Sequence, residues 1–171
     1  MWKWLVQGLR NTLVITFFAL LMGVVLGVVV AAVRSSYDKN RETMALHKGF
    51  GYYIFTFVNG ICKLYLTVIR GTPVMVQLLI MYFIIFASSR NGILIAIIAF
   101  GINSGAYVAE NIRAGILSVE VGQTEAGRAL GLSNKTTMIK IVIPQAIKNV
   151  VPTLGNEFIA LLKETSVELV M

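Results

Sequence analysis

Glu157 is the residue whose type and place most ask for chemistry. It stands in LGNEFIALLK, where the stretch from Asn149 to Leu162 holds no other charge. A charge at the centre of a bilayer costs at least about 2.5–3.5 kcal/mol, so an intramembrane carboxylate is a functional candidate by default. It can pair with an ammonium or other cationic group of a solute; an ion pair with Lys163, or a place at the interface, is the structural alternative. Asn103 and Ser104 in FGINSG, and Gln77 four residues after Pro73, are neutral groups able to exchange hydrogen bonds with a polar solute. Glu110 and Arg113 sit at i and i+3, a spacing that favours a structural pair over substrate contact. His47 and Cys62 are each the single residue of their type, which leaves no internal disulfide and no ligand cluster for a metal.

These residues need helices to hold them. Of 171 residues 57% are hydrophobic and 13% charged, against about a quarter charged in soluble domains. Uncharged runs at 11–33, 71–89 and 91–109 each reach the roughly 20 residues that span a bilayer core. A fourth, weaker span begins near Asn149 and carries Glu157, Lys163, Glu164 and Glu168. The expected fold is all-α: a polytopic membrane protein of about four spans, forming one domain over 1–171. The first apolar run is too long for a signal peptide's core and reads as a permanent helix over roughly 5–33. A net charge of +7 would suggest nucleic acid in a soluble protein. Here lipid is the expected contact, nucleic acid is not, and the cations mark cytoplasmic loops. Residues 34–50 hold Arg34, Lys39, Arg41 and Lys48, and residues 118–150 hold Arg128, Lys135, Lys140 and Lys148, while SSRNG holds Arg90. Both richer segments therefore face the cytoplasm, and the N-terminus lies outside.

Ala19, Gly23, Gly27 and Ala31 recur every four residues on one helix face, and Gly101, Gly105 and Ala109 repeat the device over about 92–117. Such ridges let membrane helices approach closely, although glycines are also simply common there. GYYIFTFVNGICKLYLTVI reads as interfacial, with tyrosines at the headgroups and a snorkelling Lys63. Thr72 and Pro73 follow it. Pro73 cannot donate to the Ile69 carbonyl, so the helix must kink or open. Open backbone at that depth needs protein or a watery cavity beside it. Arg70–Pro73 is thus a candidate wall of a transport path or a structural kink.

Residues 118–150 read as helix, turn, helix. Thr124 can cap the first helix, with Glu125 in its first turn. Gly131 fits the left-handed position after it. Ser133 can cap a second helix carrying Met138, Ile139, Val142 and Ile143 and stopping near Pro144. The first helix is short and small-faced, suited to a cleft on another protein.

The register of this loop resembles the cytoplasmic signature of ATP-binding cassette (ABC) importer permeases: Glu-Ala-Ala, three residues, Gly, nine residues, Ile, any residue, Leu, Pro. The chain reads Glu125-Ala126-Gly127, then Gly131, then Ile141-Val142-Ile143-Pro144. Gly127 departs from the second Ala and weakens the helix by roughly 1 kcal/mol; Ile143 departs from Leu. NTLVITFFALLMGVVLG, IRGTPVMVQLLIMYF, SGAYVAENIRAGI, GQTEAGRALGLS, IPQAIKN and PTLGNEFIALLKETS are similar to segments of the permeases for polar amino acids, over about 10–166.

The resemblance implies a type I importer permease of the bacterial cytoplasmic (inner) membrane, paired with a second copy or paralogue. It implies an ATPase that docks on the loop through Glu125, Ala126, Gly127, Gly131, Ile141 and Pro144, and an extracytoplasmic amino-acid-binding protein. No phosphate-cradling G-x-x-x-x-G-K-[ST] stretch is present. The chain is therefore expected to be no enzyme and to need no cofactor of its own, with ATP bound by the partner. Permeases of this kind continue past KETS into a last membrane helix, whereas this sequence ends at SVELVM, so that helix is expected to be lacking. An autonomous channel or secondary carrier, or a truncated non-transporting remnant, is the alternative.

Overall fold

The computed structural model describes residues 2–46, 49–89 and 91–168; the side chains of 40–46, 50, 167 and 168 are left out with the remainder. His47, Lys48 and Arg90, and the side chains of Arg41 and Glu168, therefore lie outside the described residues. Every regular element among those described is helical: α1 (Trp2–Leu46), α2 (Phe50–Gly71), α3 (Val74–Ile80), α4 (Gly92–Leu117), α5 (Val121–Ala129), α6 (Asn134–Thr137) and α7 (Ile143–Glu168). A π-helical turn, Met81–Ile85, prolongs α3, and another, Met138–Val142, joins α6 to α7.

The first helix does not end at 33 as expected. No proline or glycine follows Arg34 until Gly49, and α1 runs on to Leu46, about 67 Å at 1.5 Å per residue. Its apolar part, Trp2–Lys39, is long enough to cross a membrane, as are Gly51–Gly71 and Gly92–Leu117. The chain opens at the start of the run 71–89, at Pro73, where the helix was expected to kink or open. Thr72 and Pro73 have extended backbone, and the apolar helix that follows, Val74–Ile85, reaches only about 18 Å, short of a bilayer core of about 30 Å. Pro144 does not stop the second loop helix either. It lies in the first turn of α7, immediately after the π-helical turn. Ile143 donates to the Met138 carbonyl, one residue further back than in an α-helix. That widening falls where the Pro144 ring would otherwise crowd the Lys140 carbonyl.

The two small-residue ridges meet. A β-carbon on Gly23 would come within 2.9 Å of Ser104 Cβ and 3.2 Å of the Gly105 nitrogen, and one on Gly27 within 3.0 Å of the Ala109 nitrogen. Ala19, Ala31 and Ala109 are buried along the same seam. Partner numbers rise together, so α1 and α4 run parallel at close backbone approach. α7 packs antiparallel on α4: Val150 and the Ala146 carbonyl lie against Gly115, while Leu161 joins Phe100, Ile15 and Ala19 in the core. α2 behaves differently. Leu66 packs on Ala106 and Ala109, the Tyr65 hydroxyl donates to the Ile102 carbonyl at 2.5 Å, and Arg70 lies over the Tyr107 ring. Along α1 the partners fall as α2 rises, Phe55 with Tyr37, Asn59 with Arg34 and Leu66 with Val30, so α2 runs antiparallel to α1 and meets α4 over about two turns.

Candidate functional site

The loop builds its first feature from two glycines. α5 starts at Val121 with Glu120 at its N-cap and no side-chain cap. Thr124 is therefore interior, and Glu125 lies beyond the first turn, contrary to the capping expected of them. Gly127 is buried: its missing β-carbon would stand 2.8 Å from Thr137 Cγ2 and 3.1 Å from Ile141 Cδ1. The glycine that weakens the helix thus lets it lie flat on the segment running to Pro144. Gly131 has φ of +80°. The Gly131 N–H donates to the Arg128 carbonyl at 2.9 Å, and the Leu132 N–H donates to Gly127 at 3.1 Å. This paired pattern closes a helix through a left-handed residue. Ser133 caps α6 as expected, accepting from the Thr136 N–H at 3.2 Å. The outcome is a short helix presenting Glu125, Ala126, Arg128 and Leu130 to solvent, with Ile141 half-buried beneath and Pro144 exposed.

Two side-chain links fasten α5 and its approach to α7. Asn149 Nδ2 donates to Ser118 Oγ at 2.8 Å, and Gln145 Nε2 meets Gln123 Oε1 at 3.5 Å and the Ile141 carbonyl at 3.0 Å. α4 leads into α5, and the chain reaches α7 through α6 and the π-helical turn, so these links hold the loop to both long helices. α7, where a fourth span was expected, is not among the helices long and apolar enough to cross a membrane.

The second feature is a polar tier. Gln77 Nε2 donates to the Ile69 carbonyl at 2.7 Å and to the carbonyl and hydroxyl oxygens of Thr72 at 3.0 and 2.8 Å. Its Oε1 accepts from Asn103 Nδ2 at 3.0 Å. The carbonyl that Pro73 leaves unpaired is thus served by a side chain eight residues on. Thr72, Pro73, Gln77 and Asn103 form one network, clasping the α2–α3 break to α4. Ser104 faces elsewhere: it is fully buried, its Oγ has no partner among the described residues, and it abuts Gly23. Glu157 on α7 is half-buried and near that hydroxyl without a hydrogen bond to it. Among the described residues no cation lies within ion-pair distance of Glu157, so the pair with Lys163 does not form. No hydrogen bond among the described residues joins the Gln77–Asn103 group to the Ser104–Glu157 group.

Glu110 and Arg113 form the expected pair, with Arg113 Nη2 2.7 Å from Glu110 Oε1. The sequence reading missed that Arg113 also meets Asp38 at 3.7 Å and Glu110 meets Arg70 at 3.9 Å, tying α1, α2 and α4 together. The extra partners come from remote segments, which i, i+3 spacing does not report.

Residues 43–171 match the family model described as the binding-protein-dependent transport system inner membrane component. The chain is 35% identical over 167 residues to the L-cystine transport system permease protein TcyB of Bacillus subtilis, covering 96% of this chain and 64% of that protein. It is 34% identical over 171 residues to the glutamine transport system permease protein GlnP of Escherichia coli, covering 98% of this chain and 70% of that protein. A crystal structure of an amino acid ABC transporter with histidines superposes with a TM-score of 0.78 at 40% identity, over 95% of this chain and 69% of that chain. The chain thus spans 64% and 70% of the lengths of the two relatives.

Proposed function

The chain belongs to the family of inner membrane components of binding-protein-dependent transport systems, and on that premise we propose that it is the permease subunit of an ATP-driven importer of polar amino acids. The observation that carries this reading is the loop itself: α5, closed at Gly131 and seated through Gly127, holds the importer signature from Glu125 to Pro144 in register. The relatives named for cystine and glutamine transport support the substrate class.

In this mechanism a separate ATPase receives the exposed face of α5, and the chain hydrolyses nothing itself. ATP binding draws two such helices together in a dimer of permeases. Because α4 and α7 both grip the loop, the membrane helices follow it toward an outward-facing state, which ATP favours by its differential binding to the two states. A binding protein delivers the amino acid on the extracytoplasmic side, where the N-terminus lies. Along the path Glu157 meets the ammonium group, with Ser104 beside it. Asn103, Gln77, Thr72 and Pro73 offer polar groups from the neighbouring tier.

Copurification tests the coupling. The wild-type chain retains its ATPase, while Glu125→Lys or a bulky residue at Gly131 loses it and ATP-dependent uptake with it. Unaltered uptake in both variants would instead identify an autonomous carrier.

A further inference from the structure

Among the described residues, the cations at the end of the helices nearest α5 outnumber the carboxylates available to them. A cavity of about 450 Å³ opens between α1, α2 and α4, and its polar lining is Arg34, Lys63, Thr67, Arg70, Tyr107 and Glu110. Three of these are cations and one is an anion, already engaged: Glu110 Oε1 accepts from Arg113 Nε at 3.2 Å and Nη2 at 2.7 Å. Arg70 is left with a 3.9 Å contact to the other carboxylate oxygen. Arg34 donates through Nη1 to Asn59 Oδ1 at 3.4 Å, and its buried Nε has no acceptor among the described residues. Lys63 is exposed and makes no ion pair among them. Such a donor-rich pocket is completed by an anion with several oxygens.

The flank of the cavity selects the anion. Ile54, Phe57, Ile61, Leu64 and Val68 are exposed and recur at steps of three and four residues, making one apolar stripe beside the face that carries Lys63, Thr67 and Arg70. α2 is long and apolar enough to cross a membrane, so its apolar stripe lies among acyl chains while the basic side chains beside it reach the headgroups. A small soluble anion would use the cavity alone, whereas a phospholipid uses cavity and stripe together.

We propose that the Arg34–Lys63–Arg70 cavity holds the phosphate headgroup of an anionic phospholipid of the cytoplasmic leaflet, with its acyl chains along the Phe57–Val68 stripe. The choice of leaflet rests on the orientation proposed above. The test uses the permease assembled with its ATPase in detergent, titrated with phosphatidylglycerol or phosphatidylcholine and read by native mass spectrometry. Phosphatidylglycerol should bind in preference. Lys63→Gln, which removes a side chain with no ion pair, should weaken it about fivefold, as expected for one interfacial cation. The triple change Arg34→Gln, Lys63→Gln, Arg70→Gln should weaken it by a further tenfold or more, and Arg10→Gln should leave it unchanged. Millimolar inorganic phosphate should not displace the lipid. Equal binding of the two lipids, wild-type affinity in Lys63→Gln, or displacement by inorganic phosphate overturns the proposal. ATPase retention in the same sample separates failure of this site from failure of the importer reading.

Discussion

At Gln77 one side-chain amide closes the gap that Pro73 opens. The sequence makes the gap legible, since proline lacks the N–H that would serve Ile69. It does not reveal the closure, because a reach across eight residues depends on how the two helix segments are angled. Gln77→Leu should therefore strand the Ile69 carbonyl and the Asn103 amide, at about 1–3 kcal/mol for each group left buried and unpaired. Thermal unfolding in detergent should show the loss, and Asn103→Ala should cost less because the Gln77 bonds to Ile69 and Thr72 survive. Glu157 makes a different prediction. Its carboxylate has no cation near it among the described residues, so Glu157→Gln should weaken uptake while ATPase assembly persists. Wild-type uptake in that variant removes Glu157 from the substrate path. That a carboxylate stood in an apolar helix was plain from the sequence; that it would lie beside Ser104 required the antiparallel register of α4 and α7.

Among the helices, the α1–α4 seam was the most legible contact, since a period of four in small residues needs only helical geometry to become a face. The atoms that a β-carbon on Gly27 would meet include a backbone nitrogen, which cannot turn aside. Gly27→Leu should separate the helices and cost about 1–3 kcal/mol or more, measured as a lower unfolding temperature of the detergent-solubilised complex. Helix ends were less legible. α1 passes its expected end because nothing breaks it, and α5 begins at Val121, before Thr124, without a side-chain cap. The π-helical turn before Pro144 was not legible at all, since a proline marks a stop and a widened turn equally well. Pro144→Ala should let that turn tighten. We expect stability equal to or above wild type, but weaker substrate stimulation of the partner ATPase as α5 changes its presentation. Unchanged stimulation would mean that the turn is not needed to aim α5.

Across the whole molecule, one short exposed helix is joined at both ends to the helices carrying the polar candidates. α4 bears Asn103 and Ser104 and leads into α5; α7 bears Glu157 and follows through α6 and the π-helical turn. Under the proposed function, a displacement of α5 reaches the helices that carry both polar groups through packed elements, the rigid-element route by which small shifts at one site become large ones at another. The family was legible because signature, ridges and spans occur in one order along the chain. The shape of a solute-binding pocket was not, because no spacing encodes a pocket made by several helices. The most direct test of the account is uptake into vesicles holding the permease and its ATPase, supplied with binding protein and a panel of polar amino acids. The account predicts uptake that requires ATP and is lost in Glu125→Lys although the chain still folds. Uptake without ATP, driven by an ion gradient and indifferent to Glu125→Lys, would contradict it.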